Sequence, residues 1–178
     1  MEELLGKLSN YGLLNNLFPG VVFNFILCKM ININILGELS LVEKIIVCYC
    51  IGMVISRIGS LIVKPIVDKL GIIKFANYAD YINASKKDKD IKSLSEVNDM
   101  YRNMLSLFLI LTFVSLLKLI RVNEVIVFLK YTMIHISTYI YQYSSLGLVI
   151  LFLLAYRKQT NFITKRIERV LRKNEGGE

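Results

Sequence analysis

Uncharged stretches long enough to cross a bilayer constrain this chain more than any other feature. The 26 residues Tyr131 to Tyr156 carry no formal charge, and the 19 residues Ile45 to Val63 carry only Arg57. A spanning helix needs about 20 predominantly apolar residues. Of all 178 residues, 54% are apolar and 20% charged, and mean hydropathy is +0.52. A soluble domain carries roughly 45–50% apolar residues, so the surplus here is clumped into spans. A disordered chain and a secreted disulfide scaffold are excluded, and a small all-α multi-pass membrane protein remains.

Four spanning helices are expected. Between Lys7 and Lys29 lie 21 uncharged residues, diluted by Asn10, Asn15, Asn16 and Asn24 and interrupted by Pro19-Gly20. Two arrangements fit them. In the preferred one, Leu4, Leu5, Leu8, Tyr11, Leu14 and Leu17 form the apolar stripe of an interfacial amphipathic helix over 1–17. Pro19 then occupies the first turn of a span over 19–36, where its missing amide donor costs nothing. In the other, a single helix crosses from about Gly12 to Cys28 with a proline kink. The Leu-Phe-Pro-Gly text favours the first, being better helix punctuation than helix interior. The second span is 45–63, closed by Lys64-Pro65. The third covers 103–120, with Lys118 snorkelling, on a helix that starts in water at the capping box Ser93-Leu94-Ser95-Glu96. The fourth is 139–156, with Tyr139, Tyr141 and Tyr143 at one end and Tyr156 at the other as aromatic belts. Between the last two, 121–138 has alternating β-branched text and is expected as an outside segment. It can be extended, a re-entrant turn or an early start of the fourth helix.

Charge gives the orientation. The chain holds 22 basic and 14 acidic residues, a net +8. Eight basic residues fall in 64–102 and seven in the tail 157–178, against two in Arg121 to Lys130. Basic segments flank cytoplasmic ends of spans, so a helical cytoplasmic loop, a basic cytoplasmic tail helix and cytoplasmic termini in a bacterial inner membrane are expected. This placement beside apolar runs points to lipid head groups and away from direct nucleic-acid binding. The opening Met1-Glu2-Glu3 lacks the basic region of a cleaved signal peptide, so the first apolar segment is expected to be kept.

Arg57 is the most informative residue. It lies seven positions before Lys64, roughly 10 Å deeper than that end of its helix, and burying it costs about 2.5–3.5 kcal/mol. It suits a pore-lining or gating charge, an interhelical ion pair with Glu96 or Asp99, or partial snorkelling. Gly52, Ser56 and Ser60 at four-residue spacing, with Gly59 beside them, let helix backbones approach closely, within the chain or between subunits. Lys86 and Lys87 in the loop are placed to meet a membrane surface or a partner. So are Lys165, Arg166, Arg169, Arg172 and Lys173, opposite the apolar face Phe162, Ile163, Ile167, Val170 and Leu171 of the tail. The 64–102 loop is too short for an independent enzyme domain, but it can dock a partner.

Reaction chemistry is not legible. Cys28, Cys48 and Cys50 form no CxxC pair or disulfide framework, and His135 lacks a second ligand. Phosphate-binding glycine loops and nucleophile elbows are missing. Neither an enzyme nor a cofactor or metal site is expected.

Leu17-Phe18-Pro19-Gly20, Ile55-Ser56-Arg57-Ile58-Gly59-Ser60, the stretch Leu94-Ser95-Glu96-Val97-Asn98-Asp99-Met100-Tyr101-Arg102 and Arg157-Lys158-Gln159-Thr160 invite comparison. In layout the chain resembles small bacterial multi-pass membrane proteins found beside antiphage modules such as retrons and cyclic-nucleotide systems. That resemblance implies a membrane-disrupting effector held inactive by a cytoplasmic partner. The expectation is therefore a homo-oligomer in the lipid bilayer that permeabilises or depolarises it under control of a cytoplasmic protein. The alternative is a non-conducting anchor or assembly subunit that recruits a soluble protein.

Overall fold

The computed structural model describes residues 10–31, 36–123 and 132–175. Every regular element among them is helical. They are α1 (Asn10–Ile31), α2 (Leu41–Ile58), a π-helical turn (Gly59–Val63) leading into α3 (Lys64–Lys69), α4 (Tyr78–Lys87), α5 (Asp90–Asn123) and α6 (Thr132–Glu175). Three helical stretches among the described residues are long and apolar enough to cross a membrane: Leu41–Lys69, Asp90–Leu117 and Gln142–Arg172. In the most apolar window of each, 22%, 44% and 17% of residues are buried, which makes α5 the central helix.

The sequence favours a break before Pro19, and α1 shows none. Residues 1–9 and 32–35 lie outside the described ones, but from Asn10 the helix runs through the fully buried Pro19 to Ile31. Proline inside a helix frees the carbonyl four residues back. Here that is Asn15, and Asn103 of α5 reaches it: Asn103 Nδ2 donates to the Asn15 carbonyl at 3.5 Å and to Asn15 Oδ1 at 3.1 Å. The shape of the residues around Pro19 explains the rest. A Cβ on Gly20 would collide with the Cys48 carbonyl, and one on Gly52 with the Asn16 carbonyl. These pairs place α1 antiparallel on α2 with their backbones in contact.

α2 begins at a capping box the sequence reading did not single out. The Glu43 amide donates to Ser40 Oγ at 3.4 Å, and Glu43 Oε2 accepts from the Ser40 amide at 2.8 Å. The helix also passes the expected stop at Lys64-Pro65 and ends at Lys69. Pro65 would clash with the carbonyl four residues back, and the π turn just before it widens the ring, with the Lys64 amide reaching the Gly59 carbonyl. Gly71, at φ 67°, sits in the turn that follows. α5 starts at Asp90, where Asp88 Oδ1 accepts from the Asp90 amide at 3.1 Å, so Ser93 to Glu96 lie inside the helix. The 121–138 region is helical at both sides: α5 runs to Asn123 and α6 starts at Thr132, while 124–131 lie outside the described residues.

Three apolar clusters succeed one another along the bundle. The first packs Met30, Ile55, Met104, Leu107, Phe108 and Leu111, with Phe108 stacked on Phe152 at 5.5 Å between ring centroids. The second gathers Val63, Val67, Ile73, Leu105 and Tyr156. The third joins Ala84 of α4, Ile91 of α5 and Ile163 and Ile167 of α6. The tail apolar face expected to meet a membrane or partner is therefore turned inward at Ile163 and Ile167, with Val170 and Leu171 packed against the same cluster. The tail itself is an unbroken continuation of α6, and α4 is docked on it.

Candidate functional site

Arg57 faces away from the bundle. Residues three and four apart share a helix face, and its neighbours Val54 and Leu61 are 59% and 74% exposed. Arg57 is exposed between them. Among the described residues no ion pair reaches its guanidinium; its carbonyl accepts from Ser60 Oγ at 3.0 Å. Of the two acids expected to pair with it, Asp99 instead holds Arg102 at 2.6 Å, and neither it nor Glu96 bonds Arg57. The i,i+3 spacing on one helix favours the local pair over one between helices.

The small residues divide their work among the chain's own helices. Gly52 lies on α1, as described above. Gly59, at the start of the π turn, lies on α5, where a Cβ would stand 2.6 Å from Ser106 Oγ and 3.4 Å from Arg102 Nε. Ser56 and Ser60 are half-buried. Intramolecular packing thus accounts for Gly52 and Gly59.

Behind Arg57 the bundle interior carries polar pairs, each with its partner supplied by another helix or another turn. The buried pair Asn98 and Thr160 exchange hydrogen bonds, Asn98 Nδ2 to Thr160 Oγ1 at 3.1 Å and Thr160 Oγ1 to Asn98 Oδ1 at 3.2 Å. Gln159 Nε2 donates to the Leu94 carbonyl at 3.2 Å, and Thr112 Oγ1 to Ser145 Oγ at 3.1 Å. Ser106 Oγ donates to the Arg102 carbonyl at 2.8 Å. All but the last of these, which lies within α5, join α5 to α6 where an unpaired polar group would be costly. The sequence reading missed the bonds between helices, because only the fold brings together residues 33 to 65 positions apart.

At the basic end, Lys86, Lys87, Lys165, Arg169 and Arg172 are exposed as expected; the Lys173 side chain is outside the described ones. Arg166 departs from that set. Its Nε donates to Asp88 Oδ2 at 2.6 Å and its Nη2 to Asp88 Oδ1 at 3.1 Å and Asp90 Oδ2 at 2.8 Å. The fork spans the two carboxylates at the start of α5. Its hydrogen bonds hold the Asp88 carboxyl below its usual range, against a smaller opposing push from desolvation. Between α4, α5 and α6 the same region holds an open cavity of about 380 Å³ with both polar and apolar side chains in its wall.

No family model, curated protein or solved structure matches the chain. Its class is therefore defined by its own geometry, an all-helical protein whose apolar helices are compatible with a membrane and whose basic end is a closed helical layer.

Proposed function

We propose that the protein is a membrane-embedded oligomer that permeabilises or depolarises an inner membrane when a cytoplasmic partner releases it. Its basic end would face the cytoplasm, with α1 as a fourth crossing. The observation that carries this reading is Arg57, exposed on an apolar face of a candidate span and without an ion pair among the described residues. A guanidinium facing hydrocarbon costs about 2.5–3.5 kcal/mol on insertion scales. A second copy or a water-filled path at the Val54–Arg57–Leu61 face relieves that cost. Gly52 and Gly59 are already occupied within the chain, so the exposed face that carries Arg57 is offered as a subunit contact instead. The resemblance to membrane proteins of antiphage modules agrees with it.

Induced expression with a potential-sensitive dye tests the proposal. Wild type should collapse the membrane potential in the free or the triggered state, and Arg57→Leu should not, at equal membrane abundance. Arg57→Lys keeps a charge but loses the planar fork, so loss in both variants marks a specific pairing. An unchanged potential in every state overturns the effector reading. Reporter fusions after Lys87 and Lys173 should read as cytoplasmic and one near Glu124 as outside.

The closed basic end favours a second reading, a non-conducting anchor. Lys86 and Lys87 stand exposed on a helix held in place by the third apolar cluster and by the Arg166 fork. A stoichiometric soluble partner retained in detergent, with membrane potential untouched, would select it.

A further inference from the structure

Beyond Tyr156 the outer face of α6 carries an exposed basic stripe. Lys158, Phe162, Lys165, Arg169 and Arg172 follow one another at steps of four and three, so they share one side of the helix, and all five are exposed. Ile163 and Ile167, which pack into the third apolar cluster, occupy the opposite side. Two open clefts run along the stripe and meet at Phe162 and Lys165, which line both. The first, of about 940 Å³, has Arg157, Lys158 and Lys165 in its wall and no acid. The second, of about 420 Å³, has Lys165, Arg166 and Arg169 against one acid, Asp88, which the Arg166 fork already holds. Glu168 stands at the flank of the stripe and lines neither cleft. Arg157, Lys158, Lys165, Arg169 and Arg172 make no ion pair among the described residues. Phe162, in their midst, is 52% exposed.

We propose that this face docks an acidic segment of a soluble protein, one that brings carboxylates to the cations and an apolar side chain to Phe162. The inference rests on the reading that the spans are inserted with the basic end in the cytoplasm, and it holds for the effector and the anchor alike. Charge gives the sign of the partner, since unpaired cations around an exposed aromatic are complementary to an acidic surface with an apolar centre. Length decides against lipid head groups as the occupant. Arg169 stands twelve positions beyond Arg157, roughly 18 Å along the helix and still about 14 Å deep at a tilt of 40°. A head-group layer is only about 5–8 Å deep. Counted from Arg157, the first charge after the uncharged run, that layer takes in Lys158 and leaves Lys165 and Arg169 in water. An isologous contact with a second copy would set these cations against themselves. A protein segment is the occupant that covers the whole stripe.

Site-specific photo-crosslinking of the full chain in its native cells provides the test, with p-benzoylphenylalanine placed at Phe162 and, as a control, at Ile150 on the exposed apolar face of the same helix. Lys158→Glu and Arg169→Glu, single and combined, are the variants; both sites are exposed and outside any ion pair among the described residues, so the chain should fold. Illumination should give a protein adduct at Phe162 that is absent at Ile150 and whose crosslinked peptide is acidic. The double variant should lower its yield at least about tenfold. Each single variant should lower it a few fold, which keeps the test decisive if the double variant is not inserted. Adducts only to lipid, to nucleic acid or to a second copy overturn the proposal. So do a protein adduct on a peptide that is not acidic, one that survives the charge reversals undiminished, and no adduct above the Ile150 control. Membrane potential is read in parallel. An adduct without depolarisation removes the effector reading and keeps the docking face, whereas depolarisation without an adduct does the reverse.

Discussion

The two halves of α6 are built on opposite rules. Before Tyr156, the large apolar side chains Leu146, Ile150, Leu151 and Leu154 are exposed, and Ser145 turns inward to Thr112. Beyond it, Ile163 and Ile167 turn inward while Lys165, Arg169 and Arg172 face out. The helix and its period do not change, and the inward face stays largely apolar, with Val149 and Phe152 in the core of the first half; what changes is the outer face, apolar in one half and basic in the other. Burying apolar surface is favourable only where the alternative is water. An exposed apolar band with internal hydrogen bonds is the pattern for a lipid-facing helix, and the reverse is the pattern for a watered one. Tyr156, 1% exposed in the second apolar cluster, marks the boundary.

The comparison breaks most sharply at the α1–α2 crossing, where packing and not solvent sets stability. Gly52→Leu has nowhere to put its side chain against the Asn16 backbone. It should cost at least about 2–3 kcal/mol and abolish the monodisperse species in detergent. A Gly52→Leu variant that purifies and unfolds like wild type would refute the close crossing.

The next test sets one half against the other. Ile167→Ala, at a site 2% exposed, should cost about 2–4 kcal/mol in a denaturing-detergent titration. Leu61→Ala and Leu154→Ala, at sites 74% and 58% exposed, should stay within about 0.5 kcal/mol. Equal losses in the two regions would remove the distinction between them.

How much of this was legible follows the range of each interaction. The apolar runs, the basic ends and the small-residue contacts of Gly52 and Gly59 were readable, because each rests on local text. Pro19 was not: the carbonyl it frees is met by Asn103, 88 positions away. The tail stripe was read correctly as amphipathic, but the same stripe fits a membrane, a partner or the chain's own α4. The two cap signals show how local cues mislead. Ser40-Leu41-Val42-Glu43 forms a box while Ser93 to Glu96 does not, because Asp88 starts its helix earlier. The partner of Asp99 was within reach, since Arg102 stands three positions on.

A smaller effect is expected from the polar pairs that join the halves. Asn98→Ala and Thr160→Val remove the two members of one buried pair. In a double-mutant cycle they should couple by about 1 kcal/mol. Additive losses would mean that each side chain finds another partner in the folded state.

The smallest effect is a pH dependence confined to the basic end. Arg166 holds the Asp88 carboxyl below its ordinary range, so the folded state prefers the ionised form more than the unfolded chain does. A group with a depressed folded value contributes stability that is fully present above its unfolded pKa, about 3.9 for Asp. That contribution falls away as pH drops through the lower, folded value. Lowering pH from 7 to below about 4 should therefore loosen α4, which this pair helps to hold against α6. The readout is hydrogen exchange of the α4 amides, normalised for the intrinsic rate at each pH. Wild type should lose protection there on acidification, and Asp88→Asn, which cannot ionise, should show lower protection at neutral pH and a flatter profile. Asp90 still holds Arg166 Nη2 at 2.8 Å in that variant, so some dependence should survive. An identical profile in both proteins would place the acid sensitivity of the basic end on some other group.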